Sequence, residues 1–320
     1  MARIQSLSIL TQDEGREYLS ELYGKVIENV QKELVSVGMK NMDLSGDPTS
    51  GTVEAKRFVN ATSQAYGTAR AAGAGNKVKA KPVTVAIDTD REIVEELEEK
   101  DVTLYGVDGV LERRARNHTL RMAAELDKAF FTAAAADAVA VNIPADTAVE
   151  DELEMVIQEC ENTQNDFVDG VPRSMMHFVM STAYYGKVRN NLDKQTRSNV
   201  DTAAEEFYTW HGVETKSCVH LPAGIDYLLI VDGAVAQPVM PRSYTAEKIP
   251  LSDAYGVCLF FYYGTKVVTP DLIFKKAAYK ASTDTSVVMG KTYYTLSEGV
   301  YTAVASPTGN PSTSSYYELI

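Results

Sequence analysis

The chain has little cysteine, little histidine and no long apolar run. Its 320 residues include three cysteines, Cys160, Cys218 and Cys258, and four histidines. An odd, scattered set of thiols offers no disulfide framework and fits a reducing cytoplasm. No stretch approaches the roughly 18 apolar residues of a membrane span, and residues 1–7 hold no apolar core long enough for a signal peptide. Basic residues are outnumbered. The 31 Lys and Arg against 44 Asp and Glu leave a net charge of −13. A chain this acidic does not grip nucleic acid through its overall charge, and any such contact would need a local basic patch.

Catalytic signatures are missing as well. Gly73, Gly75 and Lys77 superficially suggest a phosphate loop. They lack the Gly-Lys-Ser/Thr ending and the strand-to-helix turn that aims backbone amides at a phosphate. No Gly-x-Ser-x-Gly elbow presents a serine nucleophile. His211, Cys218 and His220 form the one candidate metal cluster. Cys218 and His220 would share a face of a strand, but zinc wants four converging ligands and nothing supplies the rest. A buried thiol beside surface histidines is the plainer reading. His118 sits in a helical stretch and His177 in an apolar strand, so both read as packed or interfacial rather than catalytic. Cys160 lies on the apolar face of a helix and reads as an inert thiol. Glu205 and Glu206 are adjacent, so they do not face one another as an acid–base pair. The acidic run 95–101 lacks the spacing and glycine of a calcium loop. We therefore expect no catalytic residue, cofactor or metal.

What the chain does have is architecture. It is 45% hydrophobic and 23% charged, enough to bury a sizeable core. After Val107, Asp108 and Gly109, with Asp108 as an N-cap, Leu111, Ala115, Thr119, Met122, Leu126, Ala129, Phe130 and Ala133 recur at helical spacing. This predicts one helix of about 28 residues, roughly 42 Å long. Ahead of it, Thr11 and Glu14 make a capping box, and Leu19, Leu22, Tyr23, Val26, Val30 and Leu34 share a helix face closed by Gly38. Residues 52–88 read as a long β-hairpin with glycines near its tip. Residues 91–101 read as a short acidic helix. Beyond Pro144 an α/β region follows, with helices at 149–161 and 183–193 and strands at 175–180, 214–221 and 227–231. Residues 255–263 and 265–274 form a β-prone pair around Gly264. Residues 291–303 form a hairpin turning at Glu298 and Gly299.

Charge singles out two of these segments. Between residues 54 and 81, Lys56, Arg57, Arg70, Lys77, Lys79 and Lys81 face only Glu54, a net of +5. Between residues 91 and 101, Glu92, Glu95, Glu96, Glu98, Glu99 and Asp101 oppose Arg91 and Lys100, a net of −4. Two solvated faces would explain this, since exposed ion pairs contribute little. A self-assembling subunit would instead bring one copy's basic ribbon to its neighbour's acidic segment. A long two-stranded ribbon is marginal in water without such a partner surface.

The order of segments resembles the major capsid proteins of tailed bacteriophages, the Hong Kong ninety-seven type capsid fold. Residues 51–60 and 73–81 look like the two sides of that family's extended loop. Residues 82–97, then 99–101, are similar to the strand and short helix that enter its peripheral domain. Residues 111–131, with Ala124, Glu125, Leu126 and Asp127, look like its spine helix. The resemblance implies an α+β fold. An N-terminal arm would span 1–50 and the extended β-hairpin loop 51–88. A peripheral domain with the spine helix would take 89–141 and 256–280, and an α/β axial domain 142–255. Residues 281–320 would be a β-rich tail or small module outside the common core.

It further implies a non-enzymatic virion protein that assembles as pentamers and hexamers of an icosahedral shell enclosing double-stranded DNA. Partners would be many copies of itself, a scaffolding protein, a portal and decoration proteins, with no membrane and no sequence-specific DNA contact. Assembly would take place in the bacterial host cytoplasm. The hairpin begins by about residue 52, leaving little room for an N-terminal scaffolding region, so the scaffold would be separate or removed. By position, Lys56, Arg57, Arg70, Lys77, Lys79, Lys81, Glu95, Glu96, Glu98 and Glu99 would be inter-subunit contacts. An encapsulin-like shell housing an enzyme is the alternative within the fold. A cytoplasmic zinc or thiol enzyme using His211, Cys218 and His220 is the alternative outside it.

Overall fold

The computed structural model describes residues 7–66, 77–98, 100, 106–144, 147–194, 208–242, 244–297 and 300–319. The chain divides into two compact units. Unit one comprises Met1–Arg57, Ala80–Ala133 and Val235–Val268, and unit two comprises Phe58–Lys79, Ala134–Ala234 and Thr269–Ile320. The segment 142–255 therefore runs across the division, with residues 235–255 belonging to unit one.

In unit one, helix α1 spans Asp13–Glu33. Leu19, Leu22, Val26 and Val30 recur every three or four residues and are all buried. A 3-10 turn, Leu7–Thr11, lies against the helix start so closely that a Cβ on Gly15 would meet the Ile9 carbonyl oxygen at 2.1 Å. The expected capping box does not form. Thr11 Oγ1 donates to the Ser8 carbonyl instead, and Gln12 is the N-cap with no side-chain bond. The helix also stops at Glu33, short of Gly38. The next amides turn to a side chain, with Val35 and Ser36 N–H donating to the Asp127 carboxylate at 3.0 and 3.2 Å.

Asp127 belongs to helix α2, Gly106–Asp137. Its 32 residues make a helix about 48 Å long. It starts earlier than the sequence pattern indicated, so Asp108 lies inside the first turn, where its charge complements the helix dipole. Leu111, Ala115, Met122 and Leu126 pack in one cluster with the α1 stripe and with Leu259 and Phe261.

Those last two residues come from strand Tyr255–Tyr263, the centre of a four-stranded sheet. Along one edge it pairs antiparallel with Thr89–Leu97, from Thr89↔Tyr263 to Leu97↔Tyr255. Val239–Pro241 and Thr245–Lys248 share the other edge. The acidic segment is thus a strand over Thr89–Leu97 and not a helix. Glutamates favour helices locally, but nine residue pairs with a very apolar strand decide the matter. The expected partnership across Gly264 does not form either, because Pro270 opens a 3-10 turn, Pro270–Leu272, that breaks the second strand. Gly264 instead packs against the Ala86 carbonyl, which a Cβ would strike at 1.8 Å. A smaller sheet, ordered Leu44–Ser45, Thr52–Phe58, Ala80–Ala86, buries Val53, Ala55 and Val85 with Ala236 and Val268.

Unit two is built on a six-stranded sheet ordered Val139–Val141, Ile273–Lys276, Tyr227–Val231, Met176–Met180, Val213–Ser217, Thr209–Trp210. The two central strands are buried at every residue, as expected for strands covered on both faces. Helices α3, Val149–Glu161, and α4, Thr182–Lys194, contribute Leu153, Val156, Ile157, Cys160, Tyr184 and Val188 to its core. A four-stranded sheet closes the chain, ordered Tyr279–Ala281, Tyr316–Leu319, Tyr294–Ser297, Val300–Ala303. Its last two strands form the expected hairpin, whose turn at 298–299 lies outside the described residues.

Candidate assembly surface

The loop predicted from the sequence rises from adjacent strands Thr52–Phe58 and Ala80–Ala86. The pairing extends one step further, with Val59 N–H donating to the Lys79 carbonyl at 3.0 Å. Asn60 N–H then donates to the Asp166 carbonyl at 2.9 Å. Residues 61–66 are exposed, and residues 67–76, including Arg70 and the glycines near the tip, lie outside the described residues. Lys56, Lys77, Lys79 and Lys81 are exposed and make no ion pair among the described residues, while Arg57 is half-buried. Apolar side chains share this exposure. Phe58 is 57% exposed, Val78 87% and Tyr66 91%. Basic and apolar groups are thus exposed together on the described part of this loop.

The acidic counterpart differs from the sequence expectation. On the strand Thr89–Leu97, alternation turns Ile93, Glu95 and Leu97 inward and Asp90, Glu92, Val94 and Glu96 outward. Glu95 is therefore engaged within its own unit. Arg114 grips its carboxylate through two nitrogens, Nε at 2.7 Å, and His118 Nε2 lies 3.1 Å away. The Tyr244 hydroxyl contacts His118 Nδ1 at 2.6 Å. Burial alone would raise the Glu95 pKa, but hydrogen bonding from Arg114 and the nearby His118 outweigh it and hold the carboxyl below its ordinary range. Burial pushes His118 down, although Glu95 partly opposes it. Glu98 is ion-paired to Lys100, and Glu99 lies outside the described residues.

The outward residues make a different patch. Asp90, Glu92 and Glu96 are exposed, and the register sets them beside half-buried Tyr262 and Phe260 and beside Gly256. Glu247, exposed on the neighbouring strand, pairs across Gly256 and joins the same face. This sheet face is thus mainly acidic and holds two aromatic rings, with the Arg242 guanidinium 5.6 Å from the centre of the Tyr262 ring. Asp90 and Glu247 were not singled out in the sequence, because only strand pairing places them on one face.

The histidine and cysteine residues do not converge. His211 Nδ1 lies 2.7 Å from Glu154 Oε2, in a cluster where Arg173 also grips Glu154 and Glu161. Cys218 is buried, and its sulfur accepts from the His220 N–H. Among the described residues, no three His, Cys, Asp or Glu side chains are placed to hold a metal. His177 is held between Glu214 at 2.9 Å and Asp232 at 2.5 Å. Burial pushes the Cys160 thiol up to about 12, away from nucleophilic use. Glu205 and Glu206 lie outside the described residues. Among the described residues, no helix is long and apolar enough to cross a membrane.

No protein-family model matches the chain, and no curated protein matches it in sequence. Solved structures do. A structure from Mycobacterium phage Che8 superposes with a TM-score of 0.53 at 15% identity, covering 86% of this chain and 92% of that one. The capsid structure of the cyanophage P-SCSP1u gives 0.53 at 13% identity, covering 74% and 85%. A virus-like particle from Pyrococcus furiosus gives 0.51 at 11% identity, covering 81% and 99%. At these identities the likeness defines the fold. The chain has the α+β fold of phage capsid proteins, as the resemblance to the tailed-phage major capsid family implied.

Proposed function

We propose that the chain is the major capsid subunit of a tailed phage, a shell-forming protein without enzymatic activity. Copies would assemble as pentamers and hexamers of an icosahedral shell around double-stranded DNA, with a scaffolding protein and a portal. The observation that supports this most directly is the loop. Its lysines Lys56, Lys77, Lys79 and Lys81 and its apolar residues Phe58, Tyr66 and Val78 are left to solvent together on its described residues. On this reading, the loop of one subunit lies against the acidic sheet face of a neighbour. Lys56, Lys77, Lys79 and Lys81 would approach Asp90, Glu92, Glu96 and Glu247, with Val78 and Tyr66 near Phe260 and Tyr262. In the capsid division of the fold, unit one would supply the arm and peripheral domain and unit two the axial domain.

The test is the mass of the particle formed when the protein is co-expressed with its neighbouring genes, by light scattering with negative-stain imaging of the same fraction. Closed megadalton shells carrying genome-length DNA are expected. A persistent small oligomer would overturn the reading, and closed shells carrying a packaged enzyme would replace the virus with a compartment.

A further inference from the structure

The last four-stranded sheet carries a cluster that shell formation does not explain. Lys291 Nζ lies 2.7 Å from Asp284 Oδ2 and 3.0 Å from Glu318 Oε2. The Tyr293 hydroxyl donates to the same Asp284 oxygen at 2.6 Å, and Ser282 Oγ donates to Glu318 Oε1 at 2.5 Å. Ser282 Oγ also accepts from the Asp284 N–H at 3.2 Å. Each reacting group is thus fixed by a further partner. The Glu318 side chain is nearly shut off from water, at 7% exposure, and that of Asp284 is at 22%.

A second observation is independent of this geometry. Among the described residues from 279 onward, Tyr293 is the one large apolar side chain fully buried, while Val287, Val288, Met289, Leu296 and Leu319 are exposed. Half-buried tyrosine rings pack on this sheet, Tyr301 against Tyr279 and Tyr317, but its fully buried core is small and the stretch has no cysteine for a disulfide, so a covalent link would add stability there.

We propose that Lys291 and Asp284 condense into an intramolecular isopeptide bond, with Glu318 as the proton carrier. Hydrogen bonds to Asp284 and Glu318 raise the pKa of the Lys291 ammonium and keep the resting cluster charged, so the free amine arises only transiently, by transfer of its proton along the 2.7 Å hydrogen bond to Asp284. Transfer to Asp284 yields a neutral amine beside a neutral carboxylic acid. The amine nitrogen attacks Asp284 Cγ. Glu318 accepts a proton from that nitrogen and delivers it to the departing hydroxyl, which leaves as water. The balance is one ammonium and one carboxylate converted to one amide and one water, with no oxidant or cofactor. The product closes Asp284 through Lys291 into a ring and holds Val287, Val288 and Met289 at its tip.

Intact-mass spectrometry of the denatured full chain reads this directly. The mass is expected to fall below the sequence mass by one water, with fragment spectra joining Asp284 to Lys291. Lys291→Arg and Asp284→Ala should each restore the full sequence mass. Glu318→Gln, which can still accept from Ser282, should do the same. A wild-type chain that keeps its full mass after prolonged incubation at neutral pH overturns the proposal and leaves an ordinary ion-pair cluster. So does a water loss that mild base reverses, since an aspartyl succinimide reopens where an isopeptide persists. Water loss retained in Glu318→Gln would overturn the proton-carrier role.

Discussion

Two buried or half-buried carboxylates hold much of the local order, and each gives a test. Asp127 is 1% exposed and accepts from Val35 N–H, Ser36 N–H and Ser36 Oγ. It fixes the chain leaving α1 to the middle of α2. Asp127→Ala would leave these donors facing an apolar gap and should cost about 3 kcal/mol of stability, measured by urea unfolding of the soluble subunit. Asp127→Asn keeps one acceptor oxygen and should cost less. Glu154 behaves differently, since its interest lies in pH. Hydrogen bonding from Arg173 and from His211, against some burial, holds its pKa at about 2, below the ordinary 4.5. A carboxyl depressed by folding stabilises fully above its unfolded pKa and loses that contribution as pH falls toward the folded value. Thermal stability should therefore decline between about pH 4.5 and 2, by on the order of 2 kcal/mol after screening at this partly exposed site. Glu154→Gln should flatten that part of the profile. An unchanged profile would show that the cluster contributes nothing to acid sensitivity.

The elements differ in how visibly the sequence encodes them. Helices α1 to α4 and the strand Tyr227–Val231 were legible because each carries its own period or its own apolar run. The strand Thr89–Leu97 was not, since its glutamates favour a helix and its partner lies more than 150 residues away. The same non-local pairing decides which glutamates can face a neighbour. Glu95, a contact candidate in the sequence, is engaged with Arg114 and His118, while Asp90 and Glu247 enter the patch only through register. The strand's importance can be measured. Leu97 is 5% exposed within the unit-one cluster, and Leu97→Ala should cost about 2–4 kcal/mol in urea unfolding. Glu96→Gln on the outward face should change subunit stability by less than about 0.5 kcal/mol.

At the scale of the whole molecule, the proposed pairing of loop and acidic sheet face makes a demand that neither surface makes alone. The chain carries a net −13, so its copies repel one another on average. Local complementarity must overcome this, and exposed charge pairs weaken as the Debye length shrinks from about 8 Å at physiological salt to about 3 Å at 1 M. Assembly driven mainly by these charges should therefore slow as salt rises, whereas burial of Val78, Tyr66, Phe260 and Tyr262 should persist. Replacing Lys77, Lys79 and Lys81 by Glu should block shell formation while leaving the subunit folded, because all three are exposed. Replacing Asp90, Glu92 and Glu96 by Lys should block it equally. If the two surfaces meet, a chain carrying both sets restores attraction in the opposite sense and should form shells again, read by light scattering and negative stain. Failure of the double set, with both single sets folded, would separate the surfaces and assign each a different partner. Rescue cannot come from either surface merely being solvated, because a solvated face has no partner whose charge needs to be matched.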